Sequence, residues 1–524
     1  SCGEVSANKS ANVGALIFIV TLFGSVLIIA YHPPFVQRFL KISAGVAFSL
    51  TSIPMTAIAA GSSDVRSNVL VLGGGMAGLC AAISAKQSGA SKVILVEKGG
   101  FLGGHSILSG SGYWIGGTKI QKKAGIDDSL EINWQDSLER GLKLNRFLKR
   151  DTGVARLVYE QGPKDLDWLE SLGVKFTDQP AQAIGNRKRV HYFAPGYRVG
   201  SPQAIKALQA KAESLGVEII LNTKLISLIT ESEKRNARVI GAIVENNKGN
   251  KYAIYADHGV ILATGGFANG KEMVEKYHPY LRGVKSHGSK LNVGDGIKAA
   301  TAVGANVIVE HYGFGMNMLF VGTHSNVSIG QPLVEVPLII VNKNGQRFQD
   351  ETRGYLAVNH KMVENKFKLA YWILDSKAVD KYKDTSLKIF FDKQKVDKFD
   401  NLKDLAKAEG INYQNLEKTV KEYNEDVLKG KDRYQNRTKL LDTIDKGPYY
   451  AFECEPQIYT SYSGLEINKK AQVMTTAGTP IPGLYAAGDV TGHLAYQAGL
   501  GGGGISGLVM ATVYGRIAGA EAAK

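Results

Sequence analysis

Nine residues, Arg347 to Tyr355, read RFQDETRGY, with two arginines, two acids and a tyrosine and no apolar alternation to account for them. Side chains of these types hold ion pairs or move protons, so the stretch asks which member transfers a proton and to what. A second constellation begins at Asn68: NVLVLGGGMAGLCAAISAKQSGASKVILVEKG. It runs as apolar strand, glycine turn, helix, second strand and acid. Gly73 makes the turn, Gly75 admits a pyrophosphate, and Gly78 lets helix and strand pack closely. Glu97 closes the second strand about twenty residues on, where a carboxylate can accept ribose hydroxyls. In that full context the pattern predicts a dinucleotide site.

Three further segments favour FAD over NAD. GVILATGGF (Gly259–Phe267) is a buried strand running into a glycine turn, bringing Ala263, Thr264 and Gly265 to the adenosine end. IPGLYAAGDVTG (Ile481–Gly492) ends in Gly488 and Asp489, suited to the ribityl or pyrophosphate region. GLGGGGISG (Gly499–Gly507) carries Gly503 and Ile505 into an apolar final helix, whose N-terminus can stabilise negative charge at the flavin N1–O2 edge. Lys98, Gly104, His105 and Ser106, which follow Glu97 in the turn, complete the expected cofactor-binding set.

These elements must be positioned by a chain of 524 residues, long enough for two domains and an appendage. Net charge is +15, with many lysines between Lys361 and Lys446 interleaved with acids, which reads as a solvated helical surface. No nucleic-acid motif accompanies the charge, so no nucleic-acid partner is expected. Cys2, Cys80 and Cys454 are far apart and form no CxxC. That excludes a cysteine zinc site, a conventional iron–sulfur cluster and covalent c-type haem within these residues, and no metal site is expected.

Val13–Tyr31 is a nineteen-residue uncharged stretch, long enough to cross a bilayer, so membrane association through residues 13–31 is expected. RFLKISAGVAFSLTSIPMTAIAAG then places basic residues, an apolar run and Ala57-Ile58-Ala59 in the order of an export signal. Val36 and Gln37 stand where a twin-arginine pair would be. An envelope location on the periplasmic side, exported or tethered, is the expectation.

From about Asp64 to Lys524 the sequence resembles the flavoprotein portion of the fumarate reductase/flavocytochrome c family, related to 3-ketosteroid dehydrogenases and succinate dehydrogenase flavoproteins. The matching pieces are VLVLGGGMAGLCAAISA, VEKGGFLGG, VILATGGFA, GDGIKAATAVGA, VNKNGQRFQDE and GLYAAGDVTG. The resemblance implies an α/β fold: a Rossmann-like FAD-binding domain in two parts (64–310 and 455–524) interrupted by an α+β capping domain (311–454), after an N-terminal hydrophobic segment (1–63). Substrate would lie between cap and isoalloxazine.

The substrate-binding residues of that family carry over poorly. Met316 replaces the first substrate histidine, the second falls in YTSYSGLEIN with Tyr459, Thr460, Ser461 and Tyr462, and Gly499 replaces the C-terminal arginine. Each carboxylate of fumarate needs charge-assisted donors, so fumarate itself is not expected. Four residues after Glu351, where the family places its proton-transferring group, stands Tyr355, with Arg353 the rival two residues earlier. Tyr496 resembles, at longer spacing, the tyrosine with which ketosteroid dehydrogenases polarise a carbonyl. Tyr113, Tyr459 and Tyr462 are expected to line the same cavity. His105 stands where membrane succinate dehydrogenases attach FAD covalently, which opens that linkage here. Arg353, if not catalytic, is expected to pair with Glu351 or Asp350.

The sequence therefore predicts an FAD-dependent oxidoreductase that reduces or desaturates a carbon–carbon bond next to a carbonyl. It would take a small unsaturated carbonyl substrate and exchange electrons with a separate cytochrome or quinone. A 3-ketosteroid dehydrogenase-like enzyme is one alternative; a flavin electron-transfer subunit without substrate chemistry is another.

Overall fold

Val69–Leu72, Val93–Val96 and Val260–Leu262 are apolar on both faces and fully or almost fully buried, as strands covered on both sides must be. In the computed structural model they lie side by side. The structure describes residues 16–22, 25–31, 65–143, 153–182, 187–234, 237–310, 314–320, 336–353, 355–382, 396–434, 437, 440–492 and 506–524. From one edge the main sheet runs Gln472–Met474, Pro480–Ala486, Lys251–Leu262, Val65–Leu72, Val93–Val96 and Val217–Ile220. The last five are parallel to one another, and Gln472–Met474 is antiparallel to its neighbour. Lys251–Leu262 also pairs with Val239–Asn246, which pairs with Thr223–Thr230, so eight strands share the sheet.

Two helices, Met76–Gln87 and Gly507–Ala522, pack on this sheet and on each other. Met76–Gln87 is buried over most of its length, so its sequence is apolar all round rather than striped. Its N-terminus points out of the strand ends, and the parallel strands finish beside it. Ligands of open parallel sheets bind at that edge.

A second sheet orders Lys285–Ser286, Tyr449–Ser461, Ala370–Asp375 and Ile339–Val341, with Phe314–Phe320 also pairing Tyr449–Ser461. Alternation separates its faces. Ile340, Trp372, Leu374 and Phe452 face one apolar cluster, while Ile339, Val341, Ile373 and Tyr371 face another with Leu405, Leu416 and Tyr423. The long strand Tyr449–Ser461 belongs to this sheet at one end and reaches the main apolar core at Ile458.

Residues 1–61 form a separate unit. Within it Leu16–Leu22 and Ser25–Tyr31 are antiparallel strands, in register from Leu16 opposite Tyr31 to Leu22 opposite Ser25. Within the segment Val13–Tyr31, expected as one bilayer-length stretch, the structure describes two seven-residue strands. Isoleucine and valine, frequent in both, favour strands. Among the described residues no helix is long and apolar enough to cross a membrane.

Candidate active site

At the strand ends lies a cavity of about 300 Å³. Gly73 leaves the Val65–Leu72 strand at φ +112°, and a Cβ there would sit 2.2 Å from the Ala263 carbonyl oxygen. A Cβ on Gly78 would lie 1.8 Å from the Gly73 carbonyl oxygen. Only glycine permits that turn and that approach of helix to strand. Gly75 differs: a Cβ there meets protein only at 3.7 Å, so what it leaves free is the cavity itself.

Glu97, almost fully buried, closes the Val93–Val96 strand. Its Oε2 accepts the Gly74 N–H at 2.7 Å and its Oε1 the Gly99 N–H at 2.6 Å. Both carboxylate oxygens are fixed by backbone donors while lining the cavity, and each keeps a lone pair for a ligand hydroxyl. Lys98 Nζ reaches Asp295 Oδ2 at 2.5 Å, and both residues line the same wall. Ser106 Oγ accepts from the Met76 N–H at 3.1 Å, at the start of the helix.

Opposite, Asp489 follows Gly488, which turns at φ +78°. Asp489 Oδ2 lies 3.2 Å from His105 Nδ1 and accepts from Thr460 Oγ1 at 2.7 Å. Burial pushes this carboxyl up, but the imidazole and the hydroxyl outweigh it and hold it below the usual carboxylate range. The His105 ring meets Tyr459 edge-on at 4.3 Å, and Tyr459 stacks on His287 at 5.0 Å. Burial, then the neighbouring His105 and Arg198, push His287 down to about 4. Trp114, Tyr192, Tyr197 and Tyr462 add aromatic surface to the cavity.

Three cavity residues bear buried polar atoms with no partner among the described residues: His105 Nε2, Thr264 Oγ1 and Asn292 Nδ2. Buried polar groups are nearly always satisfied, so these atoms mark where a polar ligand belongs.

Of the residues singled out from the sequence, one cavity gathers Gly73, Gly75, Glu97, Lys98, Gly104, His105, Ser106, Ala263, Thr264, Gly265, Gly488 and Asp489. Tyr459 and Tyr462 line it too. Tyr113 does not; fully buried, it donates its hydroxyl to the Gly162 carbonyl at 3.1 Å. Tyr496, Gly503 and Ile505 fall outside the described residues. Sequence reasoning passed over Asn292, Trp114, Tyr192 and Tyr197. None has a motif, and only the fold brings them to the wall.

RFQDETRGY separates into two parts. Arg347 donates to Glu351 from Nε at 3.0 Å and Nη2 at 2.9 Å, and to Asp432 at 3.1 and 3.0 Å. Arg437 Nη1 reaches Glu351 Oε2 at 3.2 Å. Both guanidinium groups lie over the Tyr423 ring. Glu351 is fully buried and its carboxylate belongs to Arg347 and Arg437, in place of the expected pairing with Arg353. Asp350 accepts from Thr352. Arg353, exposed, ends a short turn from Glu351, and Tyr355 opens the helix Tyr355–Glu364 with its side chain outside the described set.

A family profile described as an FAD binding domain, FAD_binding_2, matches residues 68–505. The chain belongs to the FAD_binding_2 family. A probable fumarate reductase, Ifc3, of Shewanella frigidimarina is 33% identical over 89% of this chain and 76% of its own length. Among solved structures, the open conformation of a flavocytochrome c3 fumarate reductase superposes with TM-score 0.73 at 32% identity, covering 89% of this chain and 79% of that one. A 3-ketosteroid-Δ4-(5α)-dehydrogenase from Rhodococcus jostii RHA1 gives 0.72 at 26% identity, over 89% and 99%. As an FAD_binding_2 protein the chain is an FAD-dependent oxidoreductase acting on carbon–carbon bonds, with FAD its cofactor. The cavity fits that cofactor. It offers a helix N-terminus, a backbone-fixed acid and three polar atoms that lack partners among the described residues.

Proposed function

We propose that this protein reduces an activated carbon–carbon double bond next to a carbonyl, in a substrate other than fumarate, with electrons from a separate donor such as a cytochrome or a quinol. The observation that carries the reading is the aromatic wall: Tyr459 and Tyr462 line the cofactor cavity in the segment where the family resemblance implies a substrate histidine. FAD, when bound, supplies two-electron hydride exchange. Glu97 takes ribose hydroxyls, and the start of the Met76–Gln87 helix with Ser106 takes the pyrophosphate. The capping region, 311–454, closes over the substrate and excludes water. Tyr355 delivers the proton, with Arg353 as rival, and Tyr496 polarises the carbonyl.

The test is anaerobic. Reduced flavoprotein is mixed with enoates and neutral enones while the oxidised flavin band is followed. Its rapid return with at least one compound supports the reading; no return with any of them sinks it. A ketosteroid dehydrogenase-like activity, favoured by the tyrosine-lined cavity, would show instead as bleaching of oxidised flavin by saturated cyclic ketones.

The His105–Asp489 pair supports covalent attachment of FAD at His105, since Asp489 holds Nδ1 and leaves buried Nε2 without a protein partner. Flavin that stays with acid-precipitated protein, and leaves it in His105→Ser, is the expected result. The order of basic residues, apolar run and Ala57-Ile58-Ala59 supports export to the envelope, with membrane association through the segment 13–31. Protease added to intact and to permeabilised cells tests this placement.

A further inference from the structure

The loop Ala194–Gly200 flanks the cavity, and its residue Arg198 is held as few arginines are. Its φ is +64°, the left-handed region that residues other than glycine seldom occupy. Such strain persists where the surroundings impose it and is concentrated at ligand sites. The loop is tied down by the Arg198 N–H, which donates to the Gly110 carbonyl at 3.3 Å. Tyr197 packs on the same glycine, where a Cβ would lie 3.0 Å from its ring. The Arg198 guanidinium sits 5.4 Å from the Tyr197 ring centre, and Tyr197 and Gly110 both line the cavity. Tyr192 meets Tyr197 edge-on at 5.8 Å.

Arg198 is half-buried, yet among the described residues it pairs with no carboxylate and donates to no carbonyl from its side chain. Arg66, Arg156, Arg189, Arg347, Arg433 and Arg516 all hold acids. Its charge reaches His287, whose proton affinity it lowers after burial and His105, and His287 stacks on the cavity residue Tyr459. A guanidinium set against the ring of the cavity-lining Tyr197 fits a planar anion, because its fork matches a carboxylate in two parallel hydrogen bonds.

We propose that Arg198 is the carboxylate-binding residue of the substrate site, and that the substrate is an unsaturated monocarboxylic acid whose flat apolar body lies along Tyr197 and Tyr192. This rests on the proposed reduction of a conjugated double bond and narrows it. One cation holds one carboxylate. Met316 and Gly499 stand where the family resemblance implies a second and third polar anchor, so a dicarboxylate has no matching set.

The probe is 3-phenylpropanoate, a saturated acid that cannot be reduced, titrated into the oxidised holoprotein while the flavin absorption band is monitored. Its amide, with the same body and no charge, is the control. Arg198→Asn removes the charge and keeps a residue that tolerates positive φ, so the loop is retained. The expected result is a 10- to 100-fold weaker binding of the acid, roughly the effect of losing a charge-assisted pair, with amide binding unchanged and partial recovery in Arg198→Lys. Equal affinity of parent and Arg198→Asn for the acid overturns the proposal. So does a matching loss for the amide, which makes the residue structural, or loss of FAD itself, which assigns Arg198 to the cofactor. If no alkene reoxidises reduced flavin yet Arg198→Asn still loses the acid, the carboxylate subsite stands and the proposed reduction falls.

Discussion

His105 and Asp489, 384 residues apart in the chain, meet at 3.2 Å between Nδ1 and Oδ2, with Thr460 donating to the same carboxylate oxygen. The contact ties the turn after the first acid to the end of the Pro480–Ala486 strand. Its energetics follow from the depressed carboxyl: a proton that binds Asp489 less readily in the folded state than in the unfolded chain makes folding more favourable above the unfolded value and less so as pH falls through the folded one. Asp489→Asn should therefore destabilise the protein by about 1–3 kcal/mol at pH 7. The gap between variant and parent should persist at pH 5 and close only below about pH 4. Thermal melts at several pH values measure it, and a gap that closes between pH 7 and 5 would contradict the assignment.

Glu351 has two guanidinium partners and no solvent exposure. Removing one member of a buried ionic cluster leaves the others uncompensated, so Glu351→Gln should cost about 3–5 kcal/mol. Denaturant unfolding measures the loss. Flavin reoxidation per folded molecule should change little, because the Glu351 carboxylate is taken up by Arg347 and Arg437 and does not line the cavity. A variant of parental stability but no turnover would reverse that reading.

Asp165 behaves oppositely to Asp489. Burial, only partly offset by Arg516, pushes its carboxyl up from 3.8 to about 6. The folded state then holds the proton more tightly than the unfolded chain, so stability is full below about pH 4, declines as pH rises and levels off above about 6. Asp165→Asn should raise stability by up to about 3 kcal/mol at pH 8 and by nearly nothing at pH 4. Equal effects at the two pH values would rule the assignment out.

For the proton, Tyr355→Phe is expected to slow substrate-dependent flavin reoxidation by roughly 100-fold or more, within the usual range for a general acid. Arg353→Lys should slow it less than tenfold if the tyrosine is the donor. Stopped-flow rates at saturating substrate, with the solvent isotope effect, separate the two. The reverse ranking would transfer the role to Arg353.

The cofactor cavity was legible because its requirements are local. A turn at positive φ and a helix jammed against a strand demand glycine at Gly73 and Gly78 wherever they occur. Glu97 is read from its place at a strand end. The Arg347 cluster was not legible. Asp432 and Arg437 lie some eighty residues beyond Glu351, and no spacing rule links them. Tyr113 was misassigned because tyrosine serves equally in a core and on a cavity wall, and only its bond to Gly162 decides. The two strands within Val13–Tyr31 were not legible for a different reason: uncharged apolar residues suit a bilayer-length stretch and a pair of strands alike. Arg198 carries no motif, and its backbone angle is invisible until the chain is folded.

The strand Tyr449–Ser461 is paired with Ala370–Asp375 over its first half and carries Tyr459 and Thr460 to the cavity at its other end. It is one continuous strand, so the second sheet is joined through the Thr460 hydroxyl to the acid that contacts His105. The outer sheet and the charge of Asp489 in the cavity wall are thereby joined by one strand. One strand thus couples the packing of the outer sheet to the hydrogen bonding of an acid in the cavity.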